Sequence, residues 1–456
     1  MVGDAGTLVF VAGTGGRRAG VGASVTSAPT AARDGRPGRA AGTGGRASRR
    51  RGRVPDAAAG DARPPAARMT GRITRGERRR ARARLGDHRW RAVRAAHSFG
   101  LMNKRHIAYL ACATAIVAVG IGAAPSTSTH QWAVHRVQPG QSIQKAVDAA
   151  KPGDTVLIAA GTYKQSVDIT RSGITLRGDA DGRTVLRPPA SAGTSACAKA
   201  GNGVCVTGTD KKPVKNVSVR SLTVRGFAKN GVWATGTENL KVRYVTSEKN
   251  GQWGIATERS THSVISHNVT RKNGDAGVFV ANTVDTEEGA RDAKRTVVRF
   301  NETAENRVGV TVRRLRNLSV DHNEATGNCA AVFVVGDESK PRAGNLSVAW
   351  NHVHANNKYC AKTPRLPFLQ GSGIVLTGVE ETRVAFNRVE NNKGTSPLSG
   401  GIVLFKSLVG TPSERNDIRD NLVTGNSPAD LANRDTSTTN TFSRNTCTLS
   451  EPTGMC

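Results

Sequence analysis

Eight short stretches spread through the middle and end of the chain share one pattern, a small residue followed by apolar-x-apolar. Seven open on glycine: Gly203-Val204-Cys205-Val206, Gly231-Val232-Trp233-Ala234, Gly254-Ile255-Ala256-Thr257, Gly277-Val278-Phe279-Val280, Gly309-Val310-Thr311-Val312, Gly373-Ile374-Val375-Leu376 and Gly401-Ile402-Val403-Leu404. The eighth, Ala331-Val332-Phe333-Val334, carries alanine instead. The starts at 231, 254 and 277 are 23 residues apart and 309 to 331 is 22, while the remaining steps are longer. A repeat of this period, with insertions, is the mark of a solenoid, in which each unit buries its apolar face only by stacking on its neighbours.

Each repeat contains two further β-like segments. One holds Leu240-Lys241-Val242, Val264-Ile265, Val297-Val298, Leu318-Ser319-Val320 and Leu346-Ser347-Val348, and the other follows an asparagine at 268, 301, 323, 351, 387 and 421. A second asparagine recurs five residues later, at 273, 306, 328, 356, 392 and 426. Asparagine both donates and accepts and tolerates turn backbone, so these columns are expected to stack coil on coil as structural ladders. The residue before the first asparagine forms its own column, Tyr244, His267, Phe300, His322, Trp350, Phe386 and Asp420. Strand alternation from Val242, Val298, Val320 and Val348 predicts that this column points inward as an aromatic stack, which leaves His267 and His322 structural rather than catalytic. The sequon Asn268-Val269-Thr270 belongs to the repeat and calls for no glycan.

The ends of the chain differ from its middle. The first 101 residues hold 22 Arg, no Lys and six acidic residues, which places +16 of the formal +31 charge there. Such a segment buries too little apolar surface to offset its chain entropy, so disorder is expected. Arg78-Arg79-Arg80 with Arg82 and Arg84 is a pattern that could contact phosphates, but arginine without lysine in a Gly/Ala/Pro background reads better as translated upstream DNA ahead of a mis-set start. No nucleic-acid partner is then expected for the mature form. Residues 102–124 open on Asn103-Lys104-Arg105-His106 and continue as an apolar run from Ile107 to Ala124. This is the layout of a signal peptide, with a single-span membrane anchor as the alternative. The protein is therefore expected outside the cell, or anchored with its β domain outside.

Cysteine usage agrees with export. With Cys112 inside the apolar run, six remain, and an even number in an exported chain points to disulfides. Pairing of sequence neighbours gives Cys197–Cys205, Cys329–Cys360 and Cys447–Cys456. No Cys-x-x-Cys pair or Cys/His cluster has zinc spacing.

Ahead of the repeats, Ile143, Ala146, Val147 and Ala150 have the i, i+3, i+4, i+7 spacing of one helix face, and Pro152-Gly153 ends the helix. A helix here would cover the open end of the solenoid. The string Ser142-Ile143-Gln144-Lys145-Ala146-Val147-Asp148-Ala149-Ala150, then Gly153-Asp154-Thr155-Val156-Leu157-Ile158 and Gly161-Thr162-Tyr163, resembles the N-terminal cap of right-handed parallel β-helix proteins of the pectin-lyase-like superfamily. With the later repeats the resemblance covers about residues 134–450. It implies an all-β, right-handed parallel β-helix over 134–456 with a helical cap. It selects no activity, because the superfamily contains lyases, hydrolases, esterases, epimerases and proteins with no activity.

Specific families fit poorly. Gly161-Thr162-Tyr163-Lys164-Gln165-Ser166-Val167 is similar to a pectin methylesterase string, but Gln165 stands where those enzymes carry an acid. The Trp-x-Asp-His of pectate lyases, the polygalacturonase motifs and the Asp-Pro-His-Asp of alginate epimerases are absent, as are Walker, dinucleotide, serine-hydrolase and zinc-protease motifs.

Alternation in the Gly strand sends its first and third residues after glycine inward and its second and fourth outward. Trp233, Phe279 and Phe333 then form an outward strip suited to stacking on sugar rings, unless flanking loops cover it. The long insertions 282–295, 336–344, 357–372 and 393–400 border this face. Beside it lie Glu258, Asp275 and Arg313 as candidates for catalysis, and Asp285, Glu287 and Glu288 as candidates for Ca2+. Removal of a proton alpha to a uronate carboxylate needs a base and a cation, whereas hydrolysis needs two carboxylates across a cleft. The sequence thus points to an exported, monomeric β-helix that binds an acidic polysaccharide or cell wall and cleaves it by lyase-like β-elimination, with a non-catalytic surface solenoid as the alternative.

Overall fold

The computed structural model describes residues 131–456 except 180, 181 and 192. The segments 1–101 and 102–124 lie outside the described residues, and among the described residues no helix is long and apolar enough to cross a membrane. From Val134 onward the chain winds through three parallel sheets. Sheet A has 12 strands, from Val134–Val137 to Thr441–Ser443. Sheet B has 10, from Gly161–Lys164 to Leu422–Thr424, and sheet C has 11, from Val167–Ile169 to Ser450–Glu451. One coil passes from C (Val232–Thr235) to A (Lys241–Arg243) to B (Thr246–Glu248) and returns to C at Ile255–Glu258. This is a right-handed parallel β-helix, the solenoid expected from the repeat in the form that the resemblance implied.

The Gly strands stack in register. Val204, Val232, Ile255, Val278, Val310, Val332, Ile374 and Ile402 pair successively along sheet C, all at or near zero exposure. Each such side chain contributes about 1.5–3 kcal/mol by leaving water. The glycine ahead of them keeps the interior tight: a Cβ on Gly254 or Gly277 would lie 2.8 Å from the amide nitrogen of Asn273 or Asn306.

Both asparagine columns form ladders. Asn268, Asn301, Asn323, Asn351, Asn387 and Asn421 each donate Nδ2 to the Oδ1 of the next asparagine at 2.9–3.0 Å, and the ladder ends at Asn445, which donates to Ile418 O. The second ladder runs from Asn250 through Asn273, Asn306, Asn328, Asn356 and Asn392 to Asn426, which donates to Asp430. The same oxygens accept backbone N–H groups, so buried polar atoms at these turns are satisfied without water.

The column before the first ladder lies outside the coil, contrary to the alternation argument. Tyr244, Phe300 and Trp350 are about half exposed, and rings stack along the exterior at centroid spacings of 4.6–6.2 Å from Tyr244 through His267, Phe300, His322 and Trp350 to Phe386. The physical reason is the turn. Each of these residues has φ between +52° and +59°, a left-handed conformation that breaks the period-2 alternation and sends the following asparagine inward instead.

The helix Ile143–Ala149 covers the N-terminal end, with Ser142 Oγ accepting from Lys145 N and Ile143 and Val147 buried. Gln165 explains itself here: its Oε1 accepts from Ile143 N (2.9 Å) and its Nε2 donates to Gln141 O (2.7 Å), closing the first turn of the helix. Three disulfides join Cys197 to Cys205, Cys329 to Cys360 and Cys447 to Cys456, the neighbour pairing expected.

Candidate functional site

A second apolar cluster lies outside the coil, on the outer face of sheet C. Its centre is the outward column Trp233, Ala256, Phe279, Thr311, Phe333, Val375 and Val403, paired strand to strand. The alternation is as expected, and of the two outcomes left open for the strip the structure has the covered one. Phe279 and Phe333 are 6 % and 3 % exposed, so neither offers an open ring face to a sugar, and only Trp233 remains half-buried. Two loops account for this, 282–290 on one edge and a hairpin at 360–369 on the other.

The hairpin closes through reciprocal backbone bonds between Cys360 and Leu369 (2.9 and 3.0 Å), and the Cys329–Cys360 disulfide ties its base to the coil. Leu366 and Leu369 pack into the outer cluster, while Lys362, Thr363, Pro364 and Arg365 form an exposed tip. Beneath, Trp253 stacks between Trp233 (5.8 Å) and Phe279 (4.1 Å, rings 8° from parallel). Sequence reasoning missed Trp253 because it stands ahead of Gly254, outside the alternating stretch. Its place in the Trp-Gly-Ile-Ala string was the available signal.

Trp253 Nε1 donates to Asp275 Oδ2 at 3.0 Å. Burial pushes the Asp275 carboxyl above its ordinary range, against this hydrogen bond and the opposing fields of Arg307 and Arg365. Arg307 donates Nη1 to Ala361 O (2.7 Å), and its Nη2 is buried without a hydrogen-bond partner. A carboxyl shifted upward by burial beside an unsatisfied guanidinium is an arrangement seen where ligands or protons are handled.

At the opposite edge, Glu258 and Arg313 both grip the 282–290 loop. Glu258 Oε1 accepts from Val284 N (2.9 Å), and Arg313 Nη1 donates to Val284 O (3.0 Å). Burial first, then the charges of Arg314 and Arg365, push the Arg313 pKa down to about 10. Arg365 therefore acts on groups at both edges of the face. Glu258 and Arg313 each lie level with Ala281, whereas Asp275 precedes Ala276. Six strand residues separate the two edges, about 20 Å at the usual rise. The three catalytic candidates thus divide into a pair and a distant single residue.

The calcium candidates also separate. Glu287 pairs with Arg314 (3.6 Å), which is itself buried and bonded to Asp337 and to Thr286 O. Glu288 pairs with Arg259, which joins Asp210 and through it Arg291. Asp285 lines a shallow groove with Asp210, Thr235, Glu258 and Thr286. Arginines neutralise Glu287 and Glu288 one by one, so the three carboxylates of 282–290 do not converge as a ligand set.

This architecture is a right-handed parallel β-helix. A family model described as "Right handed beta helix region" matches residues 167–287, about a quarter of the chain. Among solved structures, the A-module of the mannuronan C-5 epimerase AlgE4 from Azotobacter vinelandii is similar at 16 % identity and TM-score 0.44, over 68 % of this chain and 90 % of that one. The alginate lyase of Paenibacillus sp. str. FPU-7 is similar at 14 % identity and TM-score 0.45, covering 70 % and 98 %. The family 28 exopolygalacturonase of Yersinia enterocolitica is similar at 13 % identity and TM-score 0.47, covering 70 % and 76 %. No curated protein matches the chain.

Proposed function

We propose that this is an exported β-helix protein that binds an acidic polysaccharide along the outer face of sheet C, between the 282–290 loop and the 360–369 hairpin. One observation carries the reading: the exposed Arg365 lies over a face that also holds the unsatisfied Arg307 Nη2 and the elevated Asp275 carboxyl. A uronate carboxylate would supply the acceptor that Arg307 lacks, and half-buried Trp233 would meet the apolar side of a ring. The described part of the chain is basic as well, which favours a polyanion.

If the bound polymer is cleaved, β-elimination is the chemistry these groups suit. Arg307 and Arg365 would stabilise the charge that develops on the uronate carboxylate, while the Asp275 carboxylate would take the proton alpha to it and return that proton to the glycosidic oxygen, which leaves as the C4–O bond breaks and the C4–C5 double bond forms. A second reading, a non-catalytic wall-binding solenoid, is favoured by the 282–290 loop, because Glu258 and Arg313 are both committed to holding Val284. The test is a panel of polyuronates and sulfated polysaccharides, scored for binding and for the ultraviolet absorbance of an unsaturated uronate. Binding with absorbance assigns a lyase, and binding without it assigns the solenoid. No binding to any polyanion refutes both.

A further inference from the structure

Sheet B carries a separate cluster, away from the face described above. On the strand His352–His354 both histidines face outward, because the residue between them, Val353, is fully buried. In the preceding coil Glu324 pairs in register with His352 and Thr326 with His354. One ligand atom from each of Glu324, His352 and His354 lies within 4.8 Å of the others, the only such triad of potential metal ligands among the described residues. His354 Nε2 and Glu324 Oε1 are 3.3 Å apart. That is the edge of a tetrahedron whose metal bonds are about 2.0–2.1 Å long, the lengths of zinc–imidazole and zinc–carboxylate bonds.

The surroundings also suit a metal. Thr326 Oγ1 lies 3.3 Å from His354 Nδ1, where it can accept that N–H and leave Nε2 with a free lone pair. The two imidazoles lie 4.4 Å apart, centroid to centroid, on one strand, so neither has to cross the sheet to reach a shared ion. Glu390 in the next coil, held by Arg388 at 2.7 Å, is 3.4 Å from His352 Nε2 and adds a second carboxylate beside that ring.

We propose that Glu324, His352 and His354 form a zinc site that clips two successive coils together and leaves one coordination position open. Two imidazoles and one carboxylate match a borderline divalent ion, whereas Ca2+ and Mg2+ select all-oxygen sets. The site is independent of the polysaccharide reading, and either can fail without the other.

The test is calorimetric titration of ZnCl2 into the chelator-stripped protein carrying no histidine tag. Saturable 1:1 binding is expected, lost in His352→Ala and His354→Ala and weakened roughly tenfold in Thr326→Val. The alanine variants should match the wild type in thermal midpoint without metal, because both rings are partly solvent-exposed. Should either variant unfold, Glu324→Gln, on the most exposed of the three positions, replaces it with the same expected loss. Absence of saturable zinc binding, binding that survives these substitutions, or equal affinity for Ca2+ overturns the proposal.

Discussion

Glu258 and Arg313 hold opposite sides of one residue: the carboxylate accepts the N–H of Val284 at 2.9 Å and the guanidinium donates to its carbonyl at 3.0 Å. Two side chains that read as catalytic candidates in the sequence are joined through the backbone of a loop. Glu258→Ala should therefore free the 282–290 loop without unfolding the coil. A charge-assisted hydrogen bond contributes about 1.5–3 kcal/mol, so the Val284 amide should exchange with solvent roughly tenfold faster or more. Unchanged exchange at Val284, measured by hydrogen–deuterium exchange, would contradict this role.

Asp275 gives the protein a pH signature. Its folded pKa is raised by burial, so over a window that starts near the ordinary aspartate value of about 4 the folded state keeps a proton that the unfolded state has lost. Stability from this group therefore falls as pH rises through the window. Asp275→Asn keeps an acceptor for Trp253 Nε1 and removes the slope. Thermal melts should find the variant more stable than wild type at pH 7 and converging with it on acidification. If Asp275 serves the ligand, the same variant should lose binding or turnover while gaining stability.

The Cys329–Cys360 disulfide is the anchor of the hairpin that covers Phe279 and Phe333. Replacing both cysteines with serine releases a crosslink spanning 31 residues, which by loop entropy is worth up to about 3–4 kcal/mol. The sharper expectation is local. Limited trypsin digestion should cut after Lys362 or Arg365 well before the coils are touched, whereas equal resistance of variant and wild type would mean that the hairpin is held by Leu366 and Leu369 alone.

Asn323 sits mid-ladder. Its Oδ1 accepts from both the backbone N and Nδ2 of Asn301, and its Nδ2 donates to Val298 O and Asn351 Oδ1. Asn323→Ala leaves several buried groups unpaired at about 1–3 kcal/mol each. Denaturant unfolding should register a loss of about 3 kcal/mol or more, and a loss under 1 kcal/mol would mean that water replaces the amide.

Much of the fold could be read from the sequence because a solenoid writes its geometry as a period. The glycine stretches, the ladders and the capping helix all depend on neighbours one coil away, and such contacts leave matching residues at matching spacings. The aromatic column was misplaced because alternation holds only within a strand, and a single left-handed residue such as Phe300 or Trp350 resets it. The covering of Phe279 and Phe333 depends on where a hairpin folds back, which no local pattern encodes. His352 and Glu324 are far apart in sequence and meet only through register, so spacing rules for metal motifs passed over them.

Whether an acidic polysaccharide binds under Arg365 is decided by the affinity of a uronate oligosaccharide for wild type and for Arg365→Ala. Measurable binding that weakens as salt rises is expected, with a loss of about tenfold in the variant, the equivalent of roughly 1.4 kcal/mol for one cation facing a carboxylate. Equal affinity of the two proteins, or no binding by wild type at low salt, would contradict it.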